Sequence, residues 1–86
     1  SKSMLRVSVV TPNLNLGSYL SPTIESVLAN LSPGDEYFVI DGGSNDGSVA
    51  IIRQYESRLT GWVSEPDRGY ADALAKGFAR ATGDIL

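Results

Sequence analysis

The order of elements along this chain limits its fold more than any other feature. A short run of β-branched or aromatic residues is followed by a polar loop and then by apolar residues at helical spacing, and the order repeats. The strand runs are "LRVSVVT", Leu5 to Thr11, then "EYFVID", "GWVS" and finally "DIL". Pro12 should end the first strand because proline has no N–H to donate. The pattern predicts an α/β fold with an open, mainly parallel sheet and helices on both faces.

Three apolar stripes predict the helices between these strands. The first begins at Leu20, and Pro22 is tolerated there only if it lies in the first turn. The second follows Ser44 or Asp46, either of which can cap it. The third ends at Gly83, a residue that commonly stops a helix in the left-handed conformation. The stripes consist of Leu20, Ile24, Val27, Leu28 and Leu31; of Val49, Ile52, Tyr55 and Leu59; and of Tyr70, Leu74, Gly77, Phe78 and Ala81.

Composition excludes several classes of function. The chain has 86 residues and a net charge of −3 with both signs interspersed, so it is one small domain at most and lacks a basic surface for nucleic acid. It contains no cysteine and no histidine, so a bound metal would have to be held by oxygen. Without a run of about 18 apolar residues or a leader segment, we expect a cytoplasmic protein.

The loops after the strands carry the candidate ligand-binding groups, because parallel sheets bind ligands beyond the carboxyl ends of their strands. These loops are "TPNLN", "DGGSNDGS" and "SEPDRG". Asp41 could accept the imide N–H of a pyrimidine or a ribose hydroxyl, and Gly42 and Gly43 would let a base or diphosphate approach the backbone. Ser44 and the following helix N–H groups could bind phosphate or ribose oxygens. A simple turn with a helix cap accounts for the same residues.

Other ligand-binding motifs do not fit. The chain has no Gly-x-Gly-x-x-Gly sequence and no lysine after the glycines of the second loop, which a dinucleotide or triphosphate site would need. A calcium loop would require an acid or amide at Gly43 and a glutamate at Ile52.

Five motifs in order resemble a known family. "VSVVTPNLN", "TIESVL", "VIDGGSNDGS", "SEPDRGYADALAKGF" and "ATGDIL" are similar to the N-terminal, nucleotide-binding half of the family 2 nucleotide-sugar glycosyltransferases with the GT-A, Rossmann-like fold. The similarity covers the chain from Leu5 onward. It implies that residues 1–86 form the nucleotide-sugar-binding part of a domain that we expect to continue beyond Leu86.

The resemblance implies nucleotide contacts from all three loops and the third helix. The first loop and Asp41 would hold the base, and the third loop would border the ribose and diphosphate. The implied nucleotide-binding residues are Pro12, Asn13, Asn15, Asp41, Gly42, Gly43, Ser44, Glu65, Asp67, Arg68, Gly69 and Asp72. Each of three residues has an alternative role. Asp67 could cap the third helix, and Asp72 could interact with the helix dipole or simply face solvent. Arg68 could be an ordinary surface residue.

Two positions depart from the family pattern. Leu14 stands where an aromatic residue is usual, and Ala75 stands where many members have an asparagine. The chain therefore lacks the family's aromatic side chain for base stacking at Leu14 and its polar contact at Ala75. Lys76 follows, and a lysine on that helix is expected to face solvent.

The implied reaction is inverting transfer of a sugar from a nucleotide diphosphate, with a UDP-sugar as the expected donor, to a hydroxyl of a glycan or lipid-linked acceptor at the inner face of the membrane. An Asp or Glu would serve as general base, and Mg²⁺ or Mn²⁺ would offset the charge of the leaving diphosphate. Both the base and the Asp-x-Asp-type metal motif would lie beyond Leu86, so no catalytic or metal-binding residue is assigned. Asp84 is taken to begin a strand.

Two other functions compete with this interpretation. A nonenzymatic nucleotide-binding or assembly module would use the same loops without turnover. A nucleotidyltransferase ordinarily has a glycine-rich basic loop after its first strand, whereas "TPNLNLGS" contains no basic residue. An exposed edge of the shortened sheet could also pair two copies into a dimer.

Overall fold

In the part of the chain that the structure describes, the sheet has four parallel strands. The computed structural model describes residues 6–82, 84 and 85, except for the side chains at 70, 84 and 85. The strand order is β3-β2-β1-β4, and each neighbouring pair is parallel, which confirms the predicted open parallel sheet. The elements are β1 Val7–Asn13, α1 Gly17–Asn30, β2 Glu36–Asp41, α2 Ser48–Gln54, a 3₁₀ turn Glu56–Arg58, β3 Gly61–Ser64, α3 Tyr70–Arg80 and β4 Asp84–Ile85.

The two faces of β2 bury two separate apolar clusters. Tyr37 and Val39 point to one face, where they pack with residues of α1 and α2 such as Ile24. The alternate residues Phe38 and Ile40 point to the other face and pack with α3. A strand that is buried on both faces reads as a continuous apolar run, as "YFVI" does. This arrangement confirms that helices cover both faces of the sheet.

Strand β1 continues through Pro12, contrary to the expectation that proline would end it. Pro12 is paired in register with Ile40, and Asn13 with Asp41. The carbonyl of Asn13 accepts a hydrogen bond from the Gly42 N–H, so it faces β2. Because successive residues of a strand turn their polar backbone groups to opposite sides, the nitrogen of Pro12 faces away from β2. Among the described residues β4 reaches only Val7 and Ser8, so the missing N–H interrupts no strand pairing there.

Helix α1 begins earlier than predicted, and Pro22 lies in its second turn. The helix starts at Gly17, so Pro22 is its sixth residue. The proline removes one N–H that would have bonded the carbonyl four residues earlier. Its ring lies on the exposed side, while Leu20 and Ile24 are buried against the sheet. Packing of this apolar face therefore maintains the helix across the proline.

The starts of α1 and α2 share one carboxylate. Asp46 accepts the N–H of Gly17 at 3.0 Å and the N–H of Ser48 at 3.0 Å. The N-cap residue of α2 is Gly47. The sequence had predicted Asp46 or Ser44 at that position. Helix α2 is also shorter than predicted and ends at Gln54, although Tyr55 and Leu59 still pack against the first cluster.

Helix α3 contacts the sheet through its small residues. Ala73 and Gly77 are buried, whereas Phe78, predicted to face the core, is 40% exposed. The helix ends at Arg80, and the predicted stop at Gly83 lies outside the described residues. Small residues on this face allow the helix axis to lie close to β1 and β2.

Candidate functional site

Strands β1, β2 and β3 end at the same level, which brings their loops together. Asn13 is paired with Asp41, and Asp41 with Ser64, in the register of the sheet. These three polar residues therefore form a row across the carboxyl edge of β1, β2 and β3. The row lies where parallel sheets place their ligand sites.

Asp41 is the centre of this row. Its side chain is fully buried. Its Oδ1 accepts hydrogen bonds from Asn13 Nδ2 at 2.8 Å and Ser44 Oγ at 2.6 Å. Its Oδ2 accepts from the N–H groups of Gly43 at 3.1 Å and Ser44 at 2.8 Å, and from Ser64 Oγ at 2.8 Å. One carboxylate thus joins the ends of all three strands.

The environment of Asp41 favours its ionised form. Burial raises the pKa of the carboxyl group, but the hydrogen bonds from Ser44, Asn13 and Ser64 outweigh it and hold the pKa below the ordinary value. With five donors already in place, the carboxylate organises the loops. A direct contact between Asp41 and a base, which the family resemblance implies, stays a prediction.

The first two loops also interlock beyond Asp41. The Asn15 N–H donates to Ser44 Oγ at 2.8 Å, and Asn15 Oδ1 accepts the N–H of Asn45 at 2.9 Å. Asn15 has a φ of 53°, the left-handed conformation that asparagine tolerates better than most residues. Asn15 and Ser44, both predicted to contact nucleotide, hold the two loops against each other here.

Glycines let the second and third loops make contact. A Cβ at Gly42 would lie 2.8 Å from Asp67 Oδ2, and one at Gly43 would lie 3.3 Å from the Pro66 backbone. Gly43 also has a φ of +94°, which side-chain-bearing residues rarely adopt. These glycines were predicted to admit a ligand, and in this structure they admit the neighbouring loop.

The third loop is fastened to α3 by Lys76. Its Nζ lies 2.9 Å from Glu65 Oε2 and donates to the Pro66 carbonyl at 3.2 Å. Only 20% of the lysine side chain is exposed, contrary to the expectation that it would face solvent. Asp72 Oδ2 accepts the N–H of Arg68 at 3.0 Å. Sequence reasoning missed the role of Lys76 because its partners are brought near it only by the fold.

Asp67 makes a local turn contact, whereas α3 has no side-chain bond to its N-cap, the rival role predicted for Asp67. Its Oδ1 accepts the N–H of Gly69 at 2.9 Å, just before α3 begins. Its carboxylate also faces the cavity between the loops. This turn contact and a ligand-binding role are compatible at Asp67.

A cavity of about 280 Å³ opens between the first and third loops. Its volume is near the lower end of the range for small-molecule sites. Four predicted residues line it together with Leu14, Leu16 and Ala73. Leu16 and Ala73 carried no sequence signal for a site, since each looks like an ordinary apolar position. The lining consists of Pro12, Asn13, Leu14, Leu16, Asp67, Gly69 and Ala73.

Comparison with known protein families shows the family of this chain. Residues 8–86 match the model of glycosyl transferase family 2. The chain belongs to this family. An uncharacterized glycosyltransferase of Mycobacterium tuberculosis is 44% identical over 81 residues, which are 93% of this chain and 31% of the relative. The undecaprenyl-phosphate 4-deoxy-4-formamido-L-arabinose transferase of Aeromonas hydrophila is 36% identical over 87 residues, which cover 93% of this chain and 27% of that enzyme.

A solved structure shows the same fold. A mannosyltransferase from Pyrobaculum calidifontis, in complex with GDP-Man and Mn²⁺, matches 98% of this family 2 chain with a TM-score of 0.85 and 26% sequence identity. The match confirms the GT-A, Rossmann-like fold. The chain covers 27% of that structure and less than a third of the curated relatives above. It therefore corresponds to one part of the proteins that it resembles.

The described part of this family 2 chain does not supply a metal site. Among the side chains that the structure describes, no group of three or more acidic ones is placed to hold a cation. The carboxylates at the loops are instead committed to backbone N–H groups, hydroxyls and Lys76. The helices in the described ranges are also too short or too polar to cross a membrane.

Proposed function

We propose that this chain binds the nucleotide part of a sugar donor for a glycosyltransferase. The observation that carries the proposal is the row formed by Asn13, Asp41 and Ser64 at the level ends of three parallel strands, with a cavity directly beside it. Membership of family 2 supports the same role. A sheet edge with interlocked polar loops and an adjacent cavity is a preorganised ligand site.

The base is assigned to the cavity and the diphosphate to its mouth. Pro12, Leu14 and Ala73 offer apolar surface for a flat ring. Arg68 follows Asp67 at the edge of the cavity, and its guanidinium makes no hydrogen bond or ion pair within the described residues. It is therefore available to a diphosphate, whereas the charge of Lys76 is already paired with Glu65.

The proposed reaction is inverting transfer of the sugar to a hydroxyl group, with a UDP-sugar as donor. The acceptor oxygen would form a bond to the anomeric carbon as the bond to the diphosphate breaks, and a carboxylate would take the hydroxyl proton. Mg²⁺ or Mn²⁺ would balance charge on the diphosphate, as the Mn²⁺ in the mannosyltransferase complex suggests for that relative. A glycan or lipid-linked acceptor at the cytoplasmic membrane face is proposed. The undecaprenyl phosphate in the name of the Aeromonas hydrophila relative supports only the lipid-linked part of this proposal.

Binding of nucleotides to the purified protein tests the proposal. Isothermal titration calorimetry with UDP, dTDP and GDP should show saturable binding of at least one of these nucleotides. Arg68→Ala should weaken binding of the nucleotide diphosphate at least about tenfold, because it removes a charge-assisted contact. Binding of the corresponding nucleoside should be unaffected. Arg58→Ala, in the exposed 3₁₀ turn, is the matched control.

Two results would contradict the proposal in different ways. Absence of binding for every nucleotide diphosphate would reject the site. Binding without sugar transfer to any hydroxyl acceptor by the whole protein would favour the nonenzymatic nucleotide-binding module instead.

A further inference from the structure

The ammonium group of Lys76 contacts the third loop at several points. Its Nζ lies 2.9 Å from Glu65 Oε2 and donates to the carbonyl of Pro66 at 3.2 Å. The same Nζ lies 3.9 Å from Asp72 Oδ2, an oxygen that also accepts the backbone N–H of Arg68 at 3.0 Å. One cation therefore contacts the loop before Arg68 and, after it, the carboxylate that bonds its backbone.

Lys76 lies outside the wall of the proposed ligand site. From this part of the chain, Asp67, Gly69 and Ala73 line the 280 Å³ cavity, and Lys76 is not among the described residues that do so. Only 20% of the lysine side chain is exposed, because it is enclosed between the loop and its own helix. Its contacts therefore act on the loop that borders the cavity rather than on the cavity itself.

Carboxylates outnumber cations in this part of the protein. From Glu65 to Lys76 the chain has three acidic residues but only two basic ones, Arg68 and Lys76. A nucleotide diphosphate is an anion, so a carboxylate without a positive partner beside its site opposes its binding. Without Lys76, three carboxylates would stand near the single guanidinium that is proposed to hold the diphosphate.

We infer that Lys76 is a positioning residue for binding of the nucleotide diphosphate. It neutralises the carboxylates of Glu65 and Asp72 and holds the third loop in place, which leaves the charge of Arg68 to the ligand. The inference rests on the proposed function and deepens it, since it adds an electrostatic requirement that is met from outside the wall of the site.

Isothermal titration calorimetry with UDP and uridine separates binding of the diphosphate from binding of the nucleoside. Lys76→Met should weaken UDP binding about tenfold and leave uridine binding nearly unchanged. Lys76→Arg keeps the charge and should retain the affinity for UDP within about threefold. If dTDP or GDP binds the wild-type protein more tightly than UDP, that nucleotide and its nucleoside take the place of UDP and uridine.

Arg80→Met is the matched control. It removes one positive charge from the same helix, about one turn further from the loop. The Arg80 guanidinium bonds the backbone carbonyl of Lys76 and not the loop. This variant should bind UDP as the wild type does, and circular dichroism verifies that all variants fold.

A second substitution separates neutralisation of charge from a purely structural role. Adding Glu65→Gln to Lys76→Met returns the net charge of this part of the chain to its wild-type value, so UDP affinity should recover to within about threefold of wild type. The weakening caused by Lys76→Met should also shrink as salt is raised from about 0.02 M to about 0.5 M, because added ions screen the charges.

Two results would overturn the inference and leave the proposed function intact. One is unchanged UDP binding in Lys76→Met. The other is a double variant that binds UDP as weakly as Lys76→Met, which would mean that the lysine contacts the phosphate directly or only supports the loop. Failure of every nucleotide diphosphate to bind the wild-type protein would reject the inference and the proposed function together.

Discussion

Gly77 of α3 lies directly against Val10 of β1, and a Cβ at Gly77 would overlap both Cγ atoms of that valine. This contact sets how closely α3 approaches the sheet. Because α3 follows the loop that carries Asp67, the distance between helix and sheet also sets the width of the cavity. A glycine inside a helix is thus explained here by packing.

Replacing Gly77 with alanine should destabilise the protein. The added methyl group overpacks the contact at a cost of about 1–3 kcal/mol, which exceeds the gain of about 1 kcal/mol from the higher helix propensity of alanine. Urea unfolding followed by circular dichroism measures the change. In the Gly77→Ala/Val10→Ala double variant the clash is removed, so the two changes should be less destabilising together than the sum of their separate effects. Strict additivity would show that the two residues do not meet.

Gly43 and Gly47 form a matched pair for testing the contact between loops. Both have φ near +93°, but a Cβ at Gly43 meets Pro66 at 3.3 Å, whereas a Cβ at Gly47 meets nothing within 4 Å. Alanine at either position should cost about 1–2 kcal/mol of unfolding free energy through backbone strain. Gly43→Ala alone should also displace the third loop and weaken nucleotide binding. Equal effects of the two variants on binding affinity would contradict this role of Gly43.

Lys76→Met should loosen the third loop with little effect on global stability. The lysine is partly exposed, so its ion pair with Glu65 contributes no more than about 1 kcal/mol to folding. Its bond to the Pro66 carbonyl nevertheless holds the loop against α3. Hydrogen exchange should become faster at the amides of Arg68 and Gly69. Arg80→Met, on the same helix, is the control, and equally fast exchange in that variant would argue against a specific role for Lys76.

Stability should fall in acid partly through Asp41. Its pKa is lowered in the folded protein, so the unfolded chain binds the proton more readily as the pH drops. The stabilisation is complete above the ordinary pKa of 3.8 and is lost as the pH falls through the lower folded value. Asp35 and Asp46 also have lowered pKa values and add to the acid dependence.

Asp41→Asn isolates that contribution. The amide loses one acceptor oxygen and places an N–H₂ beside groups that donate to the wild-type carboxylate, so the loss of unfolding free energy at neutral pH should be about 3 kcal/mol. Urea unfolding between pH 2 and about 7 gives the free energy of unfolding at each pH. This free energy should change less steeply with pH in the variant than in the wild type, since one titrating group is gone. An unchanged slope would mean that Asp41 does not titrate differently in the folded and unfolded states.

The sequence predicted the sheet well because its strands are buried on both faces. In β2, both sides are covered, and the run "YFVI" carries that information locally. The start of α1 was missed because Gly17, Ser18 and Tyr19 lie outside the apolar stripe. Pro12 was misjudged because its tolerance depends on which neighbour its nitrogen faces, and only the paired strands reveal this.

The motifs indicated which residues lie at the candidate site, but not what each of these residues contacts. Motif order placed Asn13, Asp41 and Asp67 in loops that the structure brings together. It could not show that Asp41 would have five donors, because these come from residues as distant as Asn13 and Ser64. Such assignments depend on the count of partners around each atom, which exists only after folding.

The carboxylate of Asp46 makes the beginnings of two helices dependent on each other. It bonds the Gly17 N–H with one oxygen and the Ser48 N–H with the other, so neither helix can fray at that end without disturbing the common acceptor. Local opening of the first turns of α1 and α2 should therefore occur as a single event. The amides of Gly17 and Ser48, far apart along the chain, would then lose their protection together.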